Sequence, residues 1–415
     1  MKISCLNLGC KVNQYEIDAV INSFEGTNHV LTNKLEPADI YIVNTCAVTT
    51  EAEKKSRQMV ARICKLNPDA KIYIMGCASQ HDTEQFLKLK NVQYVIGTVG
   101  KGKIANNLDK CGDCSEELTL EYEDDFFTKN VRTRAYLKIQ DGCNNFCTYC
   151  IIPYLRGRSR SRALSSVVAE AESLAKTCNE IVITGIDMSD YRIEGKKALA
   201  DLFVALKHID CRIRISSLEV NVVTSELLQA LKGLKNFCPH FHLSLQSGSD
   251  SVLKTMNRHY TTTQYLEKVQ LIRQYFDNPA ITTDIIVGFP TETEDNFKQE
   301  LEFVKQVRFA DVHYFAYSRR PGTIAARFKQ INGQIIKERE NRLKSLVEDL
   351  KQEFIASYKD KVCQVLVEEQ TDSGYTGFTP EYIRVYVDSN KDITNQIVNV
   401  KIGKSYQDGA KASLI

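Results

Sequence analysis

No apolar stretch among the 415 residues approaches the roughly 20 residues that a membrane-spanning helix requires. The opening Met1-Lys2-Ile3-Ser4-Cys5-Leu6 lacks the basic start, apolar middle and small-residue cleavage site of a secretion signal, so a cytoplasmic location is expected. Net charge is also nearly missing, at +2, which argues against a globally basic protein. The balance is local instead. Residues 112–125 hold seven acids and no Lys or Arg and read as a solvated linker. Lys129 to Arg162 hold eight basic residues against the single acid Asp141, the mark of a local anion-binding face.

What is present is the composition of an ordinary multidomain protein, 43% hydrophobic and 26% charged. Its 14 cysteines, in a reducing compartment, favour metal or catalytic roles over disulfides. Cys5, Cys64, Cys178, Cys211, Cys238 and Cys363 lie in or beside apolar periodic segments and read as small buried hydrophobes. Cys111 and Cys114, beside the acidic stretch, have no partner ligands nearby and read as an exposed, incidental pair.

The hydrophobic pattern divides the chain. Residues 1–111 alternate strand-like runs (Lys2–Leu8, Ala38–Thr45, Lys71–Gly76) with helical ones, the pattern of a small parallel α/β domain. The acidic linker occupies 112–128. Residues 129–357 carry six strand-like runs, Tyr136–Gln140, Ile181–Thr184, Arg212–Leu218, His240–Gln246, Thr283–Phe289 and Asp311–Ser318, separated by helices. Six β/α units suit an open, partial barrel rather than a closed eightfold one. Thr291 with Glu294 is expected to cap the helix that runs to Val307. Residues 358–415 switch to short alternating strands with Gly, Asp and Asn turns, predicting a small antiparallel β-barrel of a kind that holds nucleic acid.

Two groups of cysteines carry chemistry. Cys143, Cys147 and Cys150 follow the first barrel strand in one short loop. A zinc site usually needs four ligands and no fourth Cys or His is near, whereas soft thiolates suit an iron–sulfur cluster. Three ligands on a [4Fe–4S] cluster leave one iron open to a small molecule. A three-Cys zinc knuckle or a coincidental run of thiols is the alternative. Cys10, Cys46 and Cys77 each fall just past a predicted strand of the first domain, and strand ends on one side of a parallel sheet cluster at one edge. These three thiols would meet there, again one ligand short. Three ordinary cysteines at loop starts is the bland alternative.

Spacing, position and the flanking Tyr149 match the CxxxCxΦC motif of the radical S-adenosylmethionine (SAM) superfamily, Φ being aromatic. Leu8-Gly9-Cys10-Lys11-Val12-Asn13-Gln14, Asn44-Thr45-Cys46, Gly76-Cys77, Ile151 to Arg162, Leu243 to Asp250 and Asp284 to Pro290 follow in the order found in methylthiotransferases. The whole chain thus resembles that family, its last domain resembling an RNA-binding TRAM barrel. Within it, Gly9 to Gln14 and Lys138 to Gly142 look most like the branch that acts on N6-threonylcarbamoyladenosine beside the tRNA anticodon. The chain departs from the family pattern at Ala78-Ser79 and at Thr291.

The resemblance implies two [4Fe–4S] clusters and two SAM molecules per turnover. One SAM would methylate a sulfur held at the Cys10/Cys46/Cys77 cluster. The other would yield a 5′-deoxyadenosyl radical at the Cys143/Cys147/Cys150 cluster, to activate adenine C2. It places Tyr149, Gly185, Asp187, Ser217, Glu219 and Gln246 near SAM. It also implies tRNA (the anticodon stem-loop) as partner, and an electron donor such as flavodoxin or ferredoxin. Nothing requires more than a monomer. Arg156, Arg158, Arg160 and Arg162, alternating on one extended face, are expected to meet RNA phosphates. One of these, or Arg319 or Arg320, is a candidate partner for the threonyl carboxylate. The rivals are methylthiolation of isopentenyladenosine or of a ribosomal protein, and a non-catalytic iron–sulfur RNA-binding protein.

Overall fold

The computed structural model describes residues 1–113, 115–124, 128 and 133–415. Cys114, Lys129 and Arg132 lie outside them, so the Cys111–Cys114 pair and part of the basic run are not described.

The β-branched runs of the first unit form a six-stranded, fully parallel sheet in the spatial order Val30–Thr32, Lys2–Asn7, Ile40–Thr45, Lys71–Gly76, Val92–Val95, Gly112–Asp113. The central strand Ile40–Thr45 is buried at every position, which is why it reads as a continuous apolar run and not an alternating one. Val60 and Ile63 of helix Thr50–Leu66 pack on one face of the sheet, and Ile17 and Val20 of helix Lys11–Ser23 on the other. Thr49 caps the former, accepting from Ala52 N.

The second unit is the expected open barrel. Strands Arg134–Asp141, Glu180–Gly185, Arg212–Ile215 with Ser217–Leu218, His240–Leu243, Ala280–Val287 and Asp311–Ala316 run parallel in sequence order. The third is broken at Ser216, so the wall is two four-stranded sheets joined through one bent strand. A single large apolar core lies between this wall and its helices. The helix cap falls two residues beyond the expected position. Thr293 and Asn296 form the capping box of Glu294–Val307. The reason is Glu292, whose buried carboxylate accepts from Gly288 N at 3.0 Å and pairs with Arg339 at 2.7 Å, holding it outside the helix.

Helix Gly333–Ala356 leads to a closed barrel of Val362–Thr371, Gly374–Phe378, Arg384–Val387, Gly409–Leu414 and Ile397–Tyr406. All pairings are antiparallel but one, Arg384–Val387 with Gly409–Leu414. This small barrel docks on the rim of the large one. Arg214 donates to Pro380 O (2.8 Å) and Thr379 O (3.2 Å), and Tyr382 stacks on His240 with ring centroids 4.9 Å apart. None of the described helices is long and apolar enough to cross a membrane.

Candidate active site

Each cysteine of the first triplet sits where a strand hands over to a loop or helix. Cys10 is the residue before helix Lys11–Ser23, Cys46 follows Ile40–Thr45, and Cys77 opens the helix Cys77–His81. Asn13 ties two of these edges together, its Nδ2 donating to Thr45 O at 2.9 Å while Asn44 Nδ2 donates back to Asn13 O at 2.9 Å. Gly76, at φ +110°, makes the third turn possible. A Cβ there would lie 2.4 Å from Asn44 Oδ1 and 2.5 Å from Thr45 O.

The second triplet lies in the loop after Arg134–Asp141. The loop starts at Gly142, where φ is +72° and a Cβ would meet Arg158 O at 2.0 Å. Asp141 Oδ1 accepts from Gly142 N at 2.7 Å, and Phe146 holds a φ of +47°. The loop is braced from the far side of the barrel. Thr148 N donates to Met256 O (3.0 Å), and Asn257 Nδ2 to Asn145 O (3.0 Å).

All six thiols open onto one cavity of about 290 Å³ between the two units. Tyr149, Gly185, Asp187, Ser217 and Glu219 line it as well, but Gln246 does not. Gln246 instead bridges to Ile285 with a φ of +72°. Asp187 accepts from Asn145 Nδ2 at 3.0 Å and lies 3.8 Å from Cys143 Sγ. Burial, then Glu219, pushes the Asp187 carboxyl up to about 6. Burial likewise raises the Cys46 and Cys150 thiols to about 12.

The donor chemistry of the three cysteines in each place is that of a thiolate-ligated cluster. Each unit turns three cysteines toward the cavity, a donor set of soft thiolates suited to iron–sulfur chemistry. Behind them lies a buried network in which Glu16 and Asp141 face Lys101, Lys138, Arg156 and Arg160. Four cations less two carboxylates leave two positive charges in surplus, which suits an anionic centre in front of them. Arg156 Nε donates to Cys77 Sγ at 3.2 Å.

That network corrects the reading of the arginine run. Ile152–Arg156 is helical and only Arg160–Ser161 is a strand, so the four side chains do not share an extended face. Arg156 is 0% exposed, held by Glu16 (2.8 Å) and Asp141 (3.2 Å). Arg160 and Arg162 are buried too, Arg162 against Glu170 and Asp124. Only Arg158 is exposed, its guanidinium 4.5 Å over the Phe146 ring. Arg320 is likewise consumed, by Glu53 at 2.6 Å, and Arg319 Nε donates to Ala326 O.

Arg258 was not anticipated. It lies 3.4 Å from Cys147 Sγ, pairs with Glu219 at 2.5 Å and donates to Tyr260 Oη at 3.0 Å. No local pattern marks it, since Cys147 and Glu219 reach it from two distant segments.

Comparison with known proteins gives the family. The model of the Radical SAM superfamily matches residues 137–304, and that of Uncharacterized protein family UPF0004 matches residues 2–97. The threonylcarbamoyladenosine tRNA methylthiotransferase MtaB of Bacillus subtilis (strain 168) is 36% identical over 97% of this chain and 94% of its own. The chain belongs to the methylthiotransferase family of radical SAM enzymes. A second relative, the tRNA-2-methylthio-N(6)-dimethylallyladenosine synthase of Alkaliphilus oremlandii (strain OhILAs), is 34% identical over 95% of this chain and 88% of its own. Among solved structures, the radical S-adenosylmethionine methyltransferase TsrM from Kitasatospora setae superposes with a TM-score of 0.57 at 15% identity. It covers 78% of this chain and 76% of that one, a likeness of fold. Membership makes this methylthiotransferase an enzyme that uses SAM with an iron–sulfur cluster to insert sulfur and transfer a methyl group.

Proposed function

We propose that the chain is a tRNA methylthiotransferase that converts N6-threonylcarbamoyladenosine beside the anticodon to its 2-methylthio derivative. The observation that carries this reading is the meeting of both cysteine triplets at one cavity, in a chain whose likeness extends over nearly the full length of a relative of that name. Cys143, Cys147 and Cys150 would hold one [4Fe–4S] cluster and Cys10, Cys46 and Cys77 a second, each with one iron open. Bound there, the clusters and two SAM molecules supply a radical at an otherwise inert aromatic C–H and a sulfur bearing a methyl group.

The protein's own part is placement and shielding. Asp187, Glu219, Arg258 and Tyr149 surround the space for SAM, with the Glu219–Arg258 pair offering both charges to a zwitterionic amino acid. The buried network behind Cys77 and Gly142 keeps the two cysteine sites in fixed relation. The enzyme would act in the cytoplasm as a monomer, with a flavodoxin- or ferredoxin-class electron donor. Arg158 and the C-terminal barrel remain as RNA contacts.

The test is to delete the gene and profile nucleosides of total tRNA by mass spectrometry. The 2-methylthio-N6-threonylcarbamoyladenosine peak should vanish while its precursor accumulates. Loss of the isopentenyladenosine product instead would transfer the chain to the other branch, and an unchanged profile would sink the reading.

A further inference from the structure

A second, larger cavity of about 760 Å³ occupies the interior of the partial barrel. It meets the cluster cavity at Cys10, Gly185 and Ser217, which line both. Its wall carries five cationic side chains, and four of them are paired. Arg134 is held by Glu368 (2.7 Å) and Glu180 (3.2 Å), Arg214 by Glu180 (2.7 Å), Lys351 by Asp311 (2.8 Å), and Arg384 by Asp408 (3.6 Å). The fifth is Lys11. Among the described residues its ammonium has no ion pair and no hydrogen bond, and it is exposed to the cavity.

Lys11 stands next in sequence to Cys10, so its charge lies beside the place where sulfur would be delivered. The wall carries negative charge too. Asp284 is engaged by His242 at 3.2 Å, and Glu381 has one unpartnered oxygen that would repel an anion. An anion entering from the cluster cavity therefore finds one free cation. Asp284 is the opposite charge that acts most on that ammonium but makes no ion pair with it, so the ammonium's donors remain open to a charge-assisted hydrogen bond to an anionic ligand.

We propose that Lys11 binds the carboxylate of the N6 substituent, and so makes the enzyme select a carboxylate-bearing adenosine over an apolar one. This inference rests on the proposed reaction. With C2 of the base in the cluster cavity, the N6 substituent extends past Cys10 into the barrel interior, where Lys11 meets its carboxylate. A dimethylallyl group has no anion to offer and would leave the ammonium unpaired. Sites built for a polar group reject analogues that lack it for that reason.

The experiment uses the full chain with both clusters reconstituted anaerobically. Its probes are anticodon stem-loop RNAs carrying N6-threonylcarbamoyladenosine, its methyl ester, or isopentenyladenosine. Wild-type enzyme should bind the acid about 10–100-fold more tightly than the ester. K11Q should lose that preference through its Kd and KM for the acid, and K11R should keep most of it. Iron content and RNA-independent SAM cleavage are measured on each variant, so a folding defect is read separately. If K11Q loads no iron, the acid-versus-ester comparison in wild type and K11R decides. Equal binding of acid and ester by wild type, or full preference retained by K11Q, overturns the assignment even with turnover of the threonylcarbamoyl RNA intact. Turnover of the isopentenyl RNA alone overturns the functional reading, and this inference with it.

Discussion

The guanidinium of Arg156 touches the thiol of Cys77, Nε to Sγ at 3.2 Å, while its other nitrogens hold Glu16, Asn13 and Asp141. Hydrogen bonds to cluster sulfurs are one of the levers by which a protein sets a cluster's potential. If Cys10, Cys46 and Cys77 hold the proposed cluster, Arg156→Lys should move its midpoint potential to a more negative value, read by redox titration followed by electron paramagnetic resonance. Arg156→Ala also leaves buried carboxylates short of a partner and should cost about 3–5 kcal/mol of stability. A denaturant midpoint unchanged from wild type would remove the network from the list of structural supports.

The two triplets should separate by function. Reconstituted wild-type protein should hold about eight irons, and a Cys10→Ala or Cys143→Ala variant about four. Cys143→Ala should abolish SAM cleavage. Cys10→Ala should still cleave SAM and form no methylthiolated product. Full activity in Cys10→Ala would refute the second cluster.

Gly142→Ala puts a methyl group 2.0 Å from Arg158 O at a φ of +72°. Neither strain has a cheap escape, because the obstacle is backbone. Together they should cost on the order of 1–3 kcal/mol or displace the loop. The expected outcome is loss of iron from the Cys143 site, seen as about half the wild-type iron content. Retention of iron and SAM cleavage would show that the loop tolerates a different path.

Glu180 gives a pH dependence with a definite sign. Burial pushes its carboxyl up, but Arg214 and Arg134 outweigh that and hold it below the ordinary range. A group depressed in the folded state contributes stability that is present above its unfolded value, about 4.5, and is lost as pH falls through the folded one. Because Arg214 also grips Pro380 and Thr379, the seam with the C-terminal barrel should loosen on acidification below that value. Glu180→Gln should flatten the loss, which thermal melts across pH 3–7 would report. Equal slopes would assign the acid sensitivity elsewhere.

What was legible beforehand were the features whose cause is local. The strand Lys71–Gly76 and the Cys143 loop follow from neighbouring residues alone, and the parallel edge that gathers Cys10, Cys46 and Cys77 follows from strand direction. What escaped depends on distant partners. Alternation in Arg156, Arg158, Arg160 and Arg162 suggested a single face, but Glu16, Asp141 and Glu170, brought by other elements, draw three of them inward. Arg258 owes its position to the folding of the open barrel, and Lys11 its setting to the packing of the first unit against that barrel. The strand Gly409–Leu414 is defined by its two barrel neighbours, since its own run of Gly, Ala, Lys and Ser carries little apolar signal.

The charge network behind the two cysteine triplets draws Glu16 and Lys101 from the first unit and Lys138, Asp141, Arg156 and Arg160 from the second. Separated, each fragment would carry into water, or trap in its interior, charges whose partners belong to the other. The shared network should therefore make the two units fold as one cooperative body although each has cores of its own. A chain cut between them should stay associated and melt in a single transition. Grafting either unit onto a foreign partner should fail unless the matching half of the network travels with it.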